Sequence, residues 1–253
     1  MRRILLIGIG AGDPDHLTLQ AARAMNAFDV LFAVTKDEAT DELVAFRREL
    51  VQRHRTVGSP RTIELADPPR PWRDAPDYPA AVETWRAARL ARWEQAIRDH
   101  LGDGECGAFL VWGDPSLYES TLTIVAQIAL RGEVAVEYDV IPGISSVHAL
   151  TARHRIPLNR VGRAVQITPA RLLAGGMPDG VDDVVVMLDA QQTFASIPAD
   201  GIDIYWGAYL GTSEELLLSG PLAEMAVEIA RVRSEARDRK GWIFDTYLLR
   251  RTG

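Results

Sequence analysis

The sequence predicts an α/β protein built in two halves, and three observations carry that expectation. Short continuous apolar runs, of the kind that parallel strands buried on both faces require, recur along the chain, among them Ile4 to Ile9, Val30 to Val34 and Gly107 to Trp112. Three such runs end in glycine and proline turns that lead into helical periodicity: Gly8-Ile9-Gly10-Ala11-Gly12-Asp13-Pro14, Gly113-Asp114-Pro115 and Pro142-Gly143-Ile144-Ser145-Ser146. The length of 253 residues, with 47% hydrophobic and 25% charged residues, allows ample core for one large or two small domains. Open α/β sheets bind ligands outside the carboxyl ends of their strands, so the three turns are the candidate functional features.

In chain order, Ile4 to Ile9 reads as the first strand. Its apolar run breaks into Gly10, Gly12 and Asp13 with no small-residue cleavage site, unlike a secretory signal. Thr18 can cap a helix carrying Ala22, Met25 and Phe28, and Val30 to Val34 then completes a β–α–β unit. The dinucleotide fingerprint G-x-G-x-x-G fails, because Asp13 stands at its third glycine, which argues against a nicotinamide-dependent oxidoreductase. Glu42 to Arg53 is expected as a polar-faced helix and Asp67-Pro68-Pro69-Arg70-Pro71 as extended loop. Ala80 to Leu101 has Val82, Trp85, Arg89, Trp93, Ile97 and Leu101 along one helical stripe, which makes its tryptophans core rather than ligand stackers. After the Gly107 strand, Ser116 and Ser120 offer caps for a helix carrying Leu122, Val125 and Ile128 and stopped at Gly132. Val134 to Ile141 is the next strand, and a helix follows through His148, Leu150 and Ala152. Strands are expected at Val165 to Thr168, Val184 to Leu188, Ile202 to Tyr209 and Trp242 to Leu249, with helices near Ala170 to Gly175 and Leu222 to Ser234. The domain boundary is placed after Ile141, giving domains 1–141 and 142–253.

Composition narrows the function classes. A net charge of −7 argues against nucleic acid as a partner. No apolar run approaches the ~20 residues of a membrane helix, so no membrane partner is expected and a cytoplasmic location is. The single cysteine, Cys106, excludes an internal disulfide and any multi-cysteine metal cluster, and no metal site is expected. Lysine occurs only at Lys36 and Lys240, while Arg153, Arg155, Arg160, Arg163 and Arg171 fall in a stretch from Val140 to Pro178 that has no Asp or Glu. Such a stretch is either a solvated face or a site for an anionic substrate, since arginine grips carboxylates with paired hydrogen bonds.

With Leu17-Thr18 after the first turn, the three turns resemble, in order and spacing, the hallmark motifs of the tetrapyrrole methylases. The resemblance runs along essentially the whole chain. Val111 to Thr121, His154-Arg155-Ile156-Pro157-Leu158-Asn159, Ile204 to Gly211 and Gly241 to Leu249 are similar to the precorrin-6A synthase (deacetylating) subfamily. One departure is Thr168-Pro169-Ala170-Arg171, where the resemblance leads one to expect Thr-Thr-Gly-Arg.

The resemblance implies two α/β domains of the class III methyltransferase type with a cofactor cleft between them. It implies S-adenosyl-L-methionine as cofactor, S-adenosyl-L-homocysteine as its product, a precorrin tetrapyrrole as substrate and a homodimer. The implied reaction is methylation of precorrin-5 at C1 with release of acetate, a step of aerobic cobalamin biosynthesis that gives precorrin-6A. By motif position, Pro14, Trp112, Gly113, Asp114, Leu117, Ser145, Ser146, Leu188, Tyr209 and Leu210 are the expected cofactor residues. Asp114 is the obvious carboxylate for an ammonium or ribose hydroxyls, with capping of the following helix as its other reading. Gly10, Asp13, Arg153, Arg155 and Arg171 are the expected substrate residues, with Arg160 a further candidate. Methyl transfer from an activated donor needs alignment more than a strong base. Release of acetate needs water to attack an acetyl carbonyl, so a base or oxyanion donor would help; Tyr118, Glu119 and His148 flank the motifs and are the candidates, with Tyr118 and His148 put forward as catalytic. The alternatives are another precorrin C-methyltransferase of the same pathway and a non-catalytic module that only binds S-adenosylmethionine.

Overall fold

A computed structural model describes residues 1–35, 41–69, 77–173 and 175–252. Lys36, Arg70 and Pro71 of the expected loop, and Ala174 of an expected helix, lie outside the described residues. The chain divides into two units: Met1–Gly10 with Pro14–Ile144, and Ala11–Asp13 with Ser145–Gly253.

The first unit comprises β1 (Arg2–Gly8), α1 (Leu19–Ala24), β2 (Val30–Thr35), α2 (Asp41–His54), β3 (Arg61–Ala66), α3 (Tyr78–His100), β4 (Cys106–Val111), α4 (Thr121–Arg131) and β5 (Val136–Ile141). Its five strands form a parallel sheet in the order β3-β2-β4-β1-β5. Strand alternation sends Ile4, Leu6, Phe109 and Val111 into one core with Trp93, Ile97, Val125 and Ile128 of α3 and α4. It sends Leu5, Ile7, Ala108 and Leu110 into a second core with Ala21, Met25, Phe28 and Leu50. This two-sided burial is why the strands read as unbroken apolar runs. Trp85 and Trp93 are buried as core residues. Arg89, on the same stripe, is buried with them; its Nε donates to Asp67 Oδ1 at 2.7 Å and its guanidinium stacks 4.5 Å from the Trp93 ring.

Capping follows expectation at α1, where Thr18 Oγ1 accepts from Ala21 N at 3.1 Å. It departs from expectation at α4. Ser120 occupies the cap position but makes no side-chain cap bond; its Oγ instead accepts from Arg89 Nη1. The cap is Glu119, whose Oε1 accepts from Ser120 N at 2.9 Å, Thr121 N at 2.8 Å and Thr121 Oγ1 at 2.5 Å. A carboxylate suits the positive end of the helix dipole better than a neutral hydroxyl does.

The second unit comprises α5 (Ser146–His154), β6 (Val165–Pro169), β7 (Asp183–Met187), β8 (Ile202–Ala208), β9 (Leu216–Pro221), α6 (Leu222–Lys240) and β10 (Asp245–Arg251). Its sheet has the order β6-β7-β10-β8-β9, with β6 and β7 parallel and the other pairs antiparallel. Val184, Val186, Ile204, Trp206, Tyr247 and Leu249 pack with Leu222, Ile229 and Ala236 of α6. Gly207 lets α5 close on the sheet, because a Cβ there would meet Leu150 Cδ1 at 2.8 Å. Asp245 is held inside by Arg233 Nε at 2.8 Å and Trp206 Nε1 at 3.0 Å; burial pushes its carboxyl pKa up while Arg233 pulls it back.

Three expectations need correction. The helix expected near Ala170 to Gly175 is a single 3-10 turn, Ala170–Leu172, ahead of Gly176, which has a left-handed φ of 102°. β10 begins at Asp245 and not at Trp242, since the Trp242 ring turns in against Tyr209 at 5.2 Å. β3 and β9 had no counterpart in the sequence reading.

His154 gives the second unit a pH dependence. Its Nε2 donates to Trp206 O at 3.0 Å, its ring meets the Tyr205 ring edge-on at 5.6 Å, and burial holds its pKa below the ordinary 6.5. The unfolded chain therefore takes up the proton first, so this contribution is present above pH 6.5 and is lost as pH falls through the native value. Melting temperature followed from about pH 7.5 to 5 should decline, and His154→Gln should flatten that decline; an identical slope in the variant would remove His154 as its source.

Candidate functional site

In the first unit, the turns that leave the carboxyl ends of β1, β4 and β5, neighbours in the sheet, are pressed together backbone against backbone. A Cβ on Gly8 would lie 2.5 Å from Gly143 N, and one on Gly143 would lie 2.1 Å from Gly113 O. Gly10 and Gly113 form an isolated antiparallel bridge, with Gly113 N donating to Gly10 O at 2.8 Å and Gly10 N donating to Gly113 O at 3.3 Å. Both have left-handed φ, 80° and 69°, so glycine is required there twice over.

Asp114 ties this cluster together. Its Oδ2 accepts from Gly143 N at 2.9 Å, while Oδ1 accepts from Ser116 N at 2.8 Å and from the Ser116 hydroxyl. It caps its own turn rather than α4, and it fixes the third turn to the second. Around it, Leu117 N donates to Asp114 O at 3.3 Å. Trp112 is half-buried with its ring 5.4 Å from Phe46, and Pro14 opens the 3-10 turn Pro14–His16. Tyr118 is 43% exposed and has a left-handed φ of 49°.

In the second unit, Ser145 is the N-cap of α5 yet makes no cap bond to a backbone N–H. Its buried Oγ lies 2.9 Å from Nδ1 of the exposed His148, one turn along the helix; Ser146 beside it is half-buried. Leu188 and Tyr209, immediately after β7 and β8, have left-handed φ of 58° and 49°. For bulky residues such a conformation costs about 1–3 kcal/mol and persists only where the surroundings enforce it. The next residue after Leu188 supplies that enforcement: Asp189 accepts from Thr193 N at 2.7 Å, Tyr247 OH at 2.8 Å and Gln191 N at 3.1 Å. Tyr209 is pinned by its own OH donating to Trp242 O at 2.6 Å and its N donating to Phe244 O at 3.0 Å. Its ring is therefore core, and what the turn can offer a ligand is backbone and the adjacent Leu210 and Gly211. Gly211 N donates to Glu215 Oε2 at 2.8 Å, and Glu215 Oε1 takes Arg153 Nε at 2.5 Å. Asp13 lies against this turn, since a Cβ on Gly211 would come 2.6 Å from Asp13 N.

The arginines sort into two groups. Arg153 is paired with Glu215, Arg163 with Asp182 at 3.1 Å, and Arg160 with Asp183 and the carbonyls of Arg251 and Asp182. Arg155, the left-handed C-cap of α5, and Arg171 are exposed and form no ion pair among the described residues. Sequence reasoning missed Glu215 and Asp189. Asp189 had a legible signal, an Asp four residues before Thr193 at a strand end, the spacing of a local side-chain cap; Glu215 had none. Among the described residues no three His, Cys, Asp or Glu side chains could hold a metal ion together.

Comparison with known proteins gives a match to the family described as Tetrapyrrole (Corrin/Porphyrin) Methylases over residues 3–226. A Precorrin-6A synthase [deacetylating] from Sinorhizobium sp is 47% identical over 251 residues, covering 99% of this chain and 96% of that protein. A crystal structure of a cobalamin synthesis related protein (CobF) from Corynebacterium diphtheriae superposes with a TM-score of 0.85 at 36% identity, covering 100% of both chains. The uroporphyrin-III C-methyl transferase of Thermus thermophilus, solved with S-adenyl homocysteine, shares the fold at a TM-score of 0.58 and 17% identity over 98% of this chain and 91% of that one.

The glycine cluster can be tested by steric load. Gly143→Ala places a methyl 2.1 Å from Gly113 O and should destabilise the fold by about 1–3 kcal/mol. Gly175→Ala, which meets nothing within 4 Å, should stay within about 0.5 kcal/mol of the parent in the same denaturant titration.

Proposed function

The chain belongs to the tetrapyrrole (corrin/porphyrin) methylase family, and from that premise we propose that it is an S-adenosylmethionine-dependent C-methyltransferase of aerobic cobalamin biosynthesis. The proposed reaction is methylation of precorrin-5 at C1 with release of acetate, giving precorrin-6A. The observation that carries this reading is 47% identity to a precorrin-6A synthase [deacetylating] along nearly the full length of both chains. No helix of the described residues is long and apolar enough to cross a membrane. The same reading takes the protein to be a cytoplasmic homodimer.

The residues at hand suit the cofactor. Turns pressed backbone against backbone at Gly8 and Gly143, and turns held in strained left-handed shapes at Leu188 and Tyr209, present backbone rather than side chains, which suits close approach to a ligand. In the first unit the proposed cofactor residues are Pro14, Trp112, Gly113, Asp114 and Leu117; in the second they are Ser145, Ser146, Leu188, Tyr209 and Leu210. S-adenosylmethionine would supply an already activated methyl group. The chain's task is then to bind, orient and exclude water. Asp114 does this by fixing Ser116 and Gly143, and Leu188, 61% exposed, offers an apolar wall. Gly10, Asp13, Arg153, Arg155 and Arg171 are the proposed substrate residues. Of these, Arg155 and Arg171 have the uncommitted guanidinium charge that a tetrapyrrole carboxylate would neutralise.

Tyr118 is proposed to handle a proton, as a hydroxyl donor, and His148 to act through its bond to the Ser145 Oγ. Because His148 acts by holding Ser145, His148→Gln should lower methyl gain and acetate release in parallel.

Incubation with precorrin-5 and methyl-labelled S-adenosylmethionine, read by mass spectrometry, should give a product that has gained one labelled methyl and lost one acetyl, with free acetate in solution. A methylated product that keeps its acetyl group would remove the specific reaction and leave the family. Asp114→Ala should weaken S-adenosylmethionine binding about tenfold or more, the scale of two lost charge-assisted hydrogen bonds. Calorimetric titration that finds unchanged affinity would exclude Asp114 from the cofactor residues.

A further inference from the structure

β4 pairs with β1 along its whole length, from Arg3–Cys106 to Gly8–Val111, but with β2 only at Val30–Gly107 and Leu31–Ala108. Beyond Ala108 the two strands part. Into this splay α2 sends Arg47, whose Nε donates to Leu110 O at 2.9 Å and whose Nη1 donates to Leu43 O at 3.1 Å. One strand carbonyl that β2 does not meet is thus satisfied by a side chain. The splay leaves a cavity of about 60 Å³, within the first unit, lined by Phe32, Val34, Val44, Arg47, Trp112 and Glu119 among others. That is room for roughly four water-sized groups, the size of an acetyl group with one water.

The lining is polarised. Phe32, Val34 and Val44 give it an apolar wall, and Arg47 and Glu119 face it with opposite charges. Arg47 forms no ion pair among the described residues, and its Nη2 donates to no atom of them. Burial pulls the Arg47 guanidinium pKa down and Glu119 pushes it back up, so the charge is desolvated without being neutralised in direct contact. Glu119 spends only Oε1 on capping α4, and Oε2 accepts from no atom of the described residues. An unspent donor, an unspent carboxylate oxygen and an apolar wall in one small cavity match the three parts of an acyl group under attack by water.

We propose that this cavity receives the acetyl group of the substrate, with its methyl against Phe32, Val34 and Val44, its carbonyl oxygen at Arg47, and Glu119 beside it as the base for the attacking water. This rests on the deacetylating reaction proposed above. In the step, the water oxygen bonds to the acetyl carbon and one water proton passes to Glu119 Oε2. The carbon–carbon bond to the macrocycle breaks and its electron pair stays with the macrocycle; acetic acid leaves with the second water proton and loses it to solvent to become acetate. Arg47 carries the negative charge that develops on the carbonyl oxygen, and no reactant beyond water is needed.

The test uses the full-length protein with three variants, each checked for parental S-adenosylmethionine affinity. Glu119→Gln keeps the capping oxygen of α4 and should slow acetate release from precorrin-5 about 100-fold or more. Arg47→Ala should lose a similar factor and recover part of it on addition of guanidinium at millimolar concentration, which a merely structural role would not show. Val44→Phe fills the cavity and leaves both charged groups in place; it should abolish acetate release and also the binding of carbon-13 acetate followed by NMR. Acetate release within threefold of the parent in Glu119→Gln and Val44→Phe would overturn the proposal. If the parent protein does not deacetylate precorrin-5, the reaction assignment fails and the cavity is judged by acetate binding alone: binding in the parent that Val44→Phe abolishes supports it, and equal or absent binding overturns it.

Discussion

The first unit depends on three backbones meeting where no side chain fits. Adjacent strands stand about 4.8 Å apart, and the turns that leave β1, β4 and β5 cross over one another before reaching their helices. Gly8, Gly113 and Gly143 occupy that crossing, and a single methyl on Gly8 or Gly143 would drive the backbones apart. Such a contact cannot be held by hydrophobic burial, because glycine has nothing to bury. It is held by polar pairing instead: the Gly10–Gly113 bridge and the Asp114 carboxylate, which serves Gly143 N and Ser116 together. Without Asp114 the Gly143 N–H would lose its partner, at a cost comparable to a lost hydrogen bond. The Gly-Asp-Pro turn therefore has a divided task, glycine for the approach and aspartate for the tie.

Much of this was legible in the sequence, and what was not has a physical reason. The strands at the centre of each sheet announced themselves as apolar runs because both of their faces are buried. β3 and β9, two of the four edge strands, did not, whereas β5 and β6 at the other edges did. Of β3 only Leu65 is buried, and β9 has no fully buried residue; a strand paired on one side and incompletely buried on its faces carries a weak periodic apolar signal. The α4 cap position falls on Ser120, one of the two expected candidates, but the capping bonds come from Glu119. Ser116 and Ser120 are the residue types that cap helices most often, yet both hydroxyls are engaged by partners, Asp114 and Arg89, that the local sequence does not reveal. Of the candidate site, the three glycine turns could be found from order and spacing. Arg47 and Glu215 could not, since one acts across a gap between strands and the other across a turn from Arg153.

That gap follows from the sheet order. β4 lies between β1 and β2, and its full pairing with β1 leaves its far end free of β2. A parallel sheet that stayed in register throughout would have closed the space between Phe32 and Val111 with backbone hydrogen bonds. Here aromatic packing holds the splayed end instead, with Phe109 stacked between Phe32 at 5.2 Å and Trp93 at 4.6 Å, and Arg47 meets the exposed carbonyl. The glycine cluster and the cavity thus share β4 as a common wall, with Trp112 and Gly113 as consecutive residues serving one each.

The second unit reaches a comparable end by the opposite device. Where the first unit removes side chains to bring backbone forward, the second forces bulky residues into a conformation that glycine would adopt freely. Leu188 and Tyr209 could be relieved by glycine at little cost to the turn itself. They are retained with their strain offset by buried bonds to Asp189 and from the Tyr209 hydroxyl. For Tyr209 the gain is visible, since its ring fills the core beside Trp242. Leu188 stands 61% exposed after a fully buried Val184–Val186 run. An exposed leucine in a costly left-handed conformation has no account in stability, and it is the kind of residue that a ligand's apolar surface would explain.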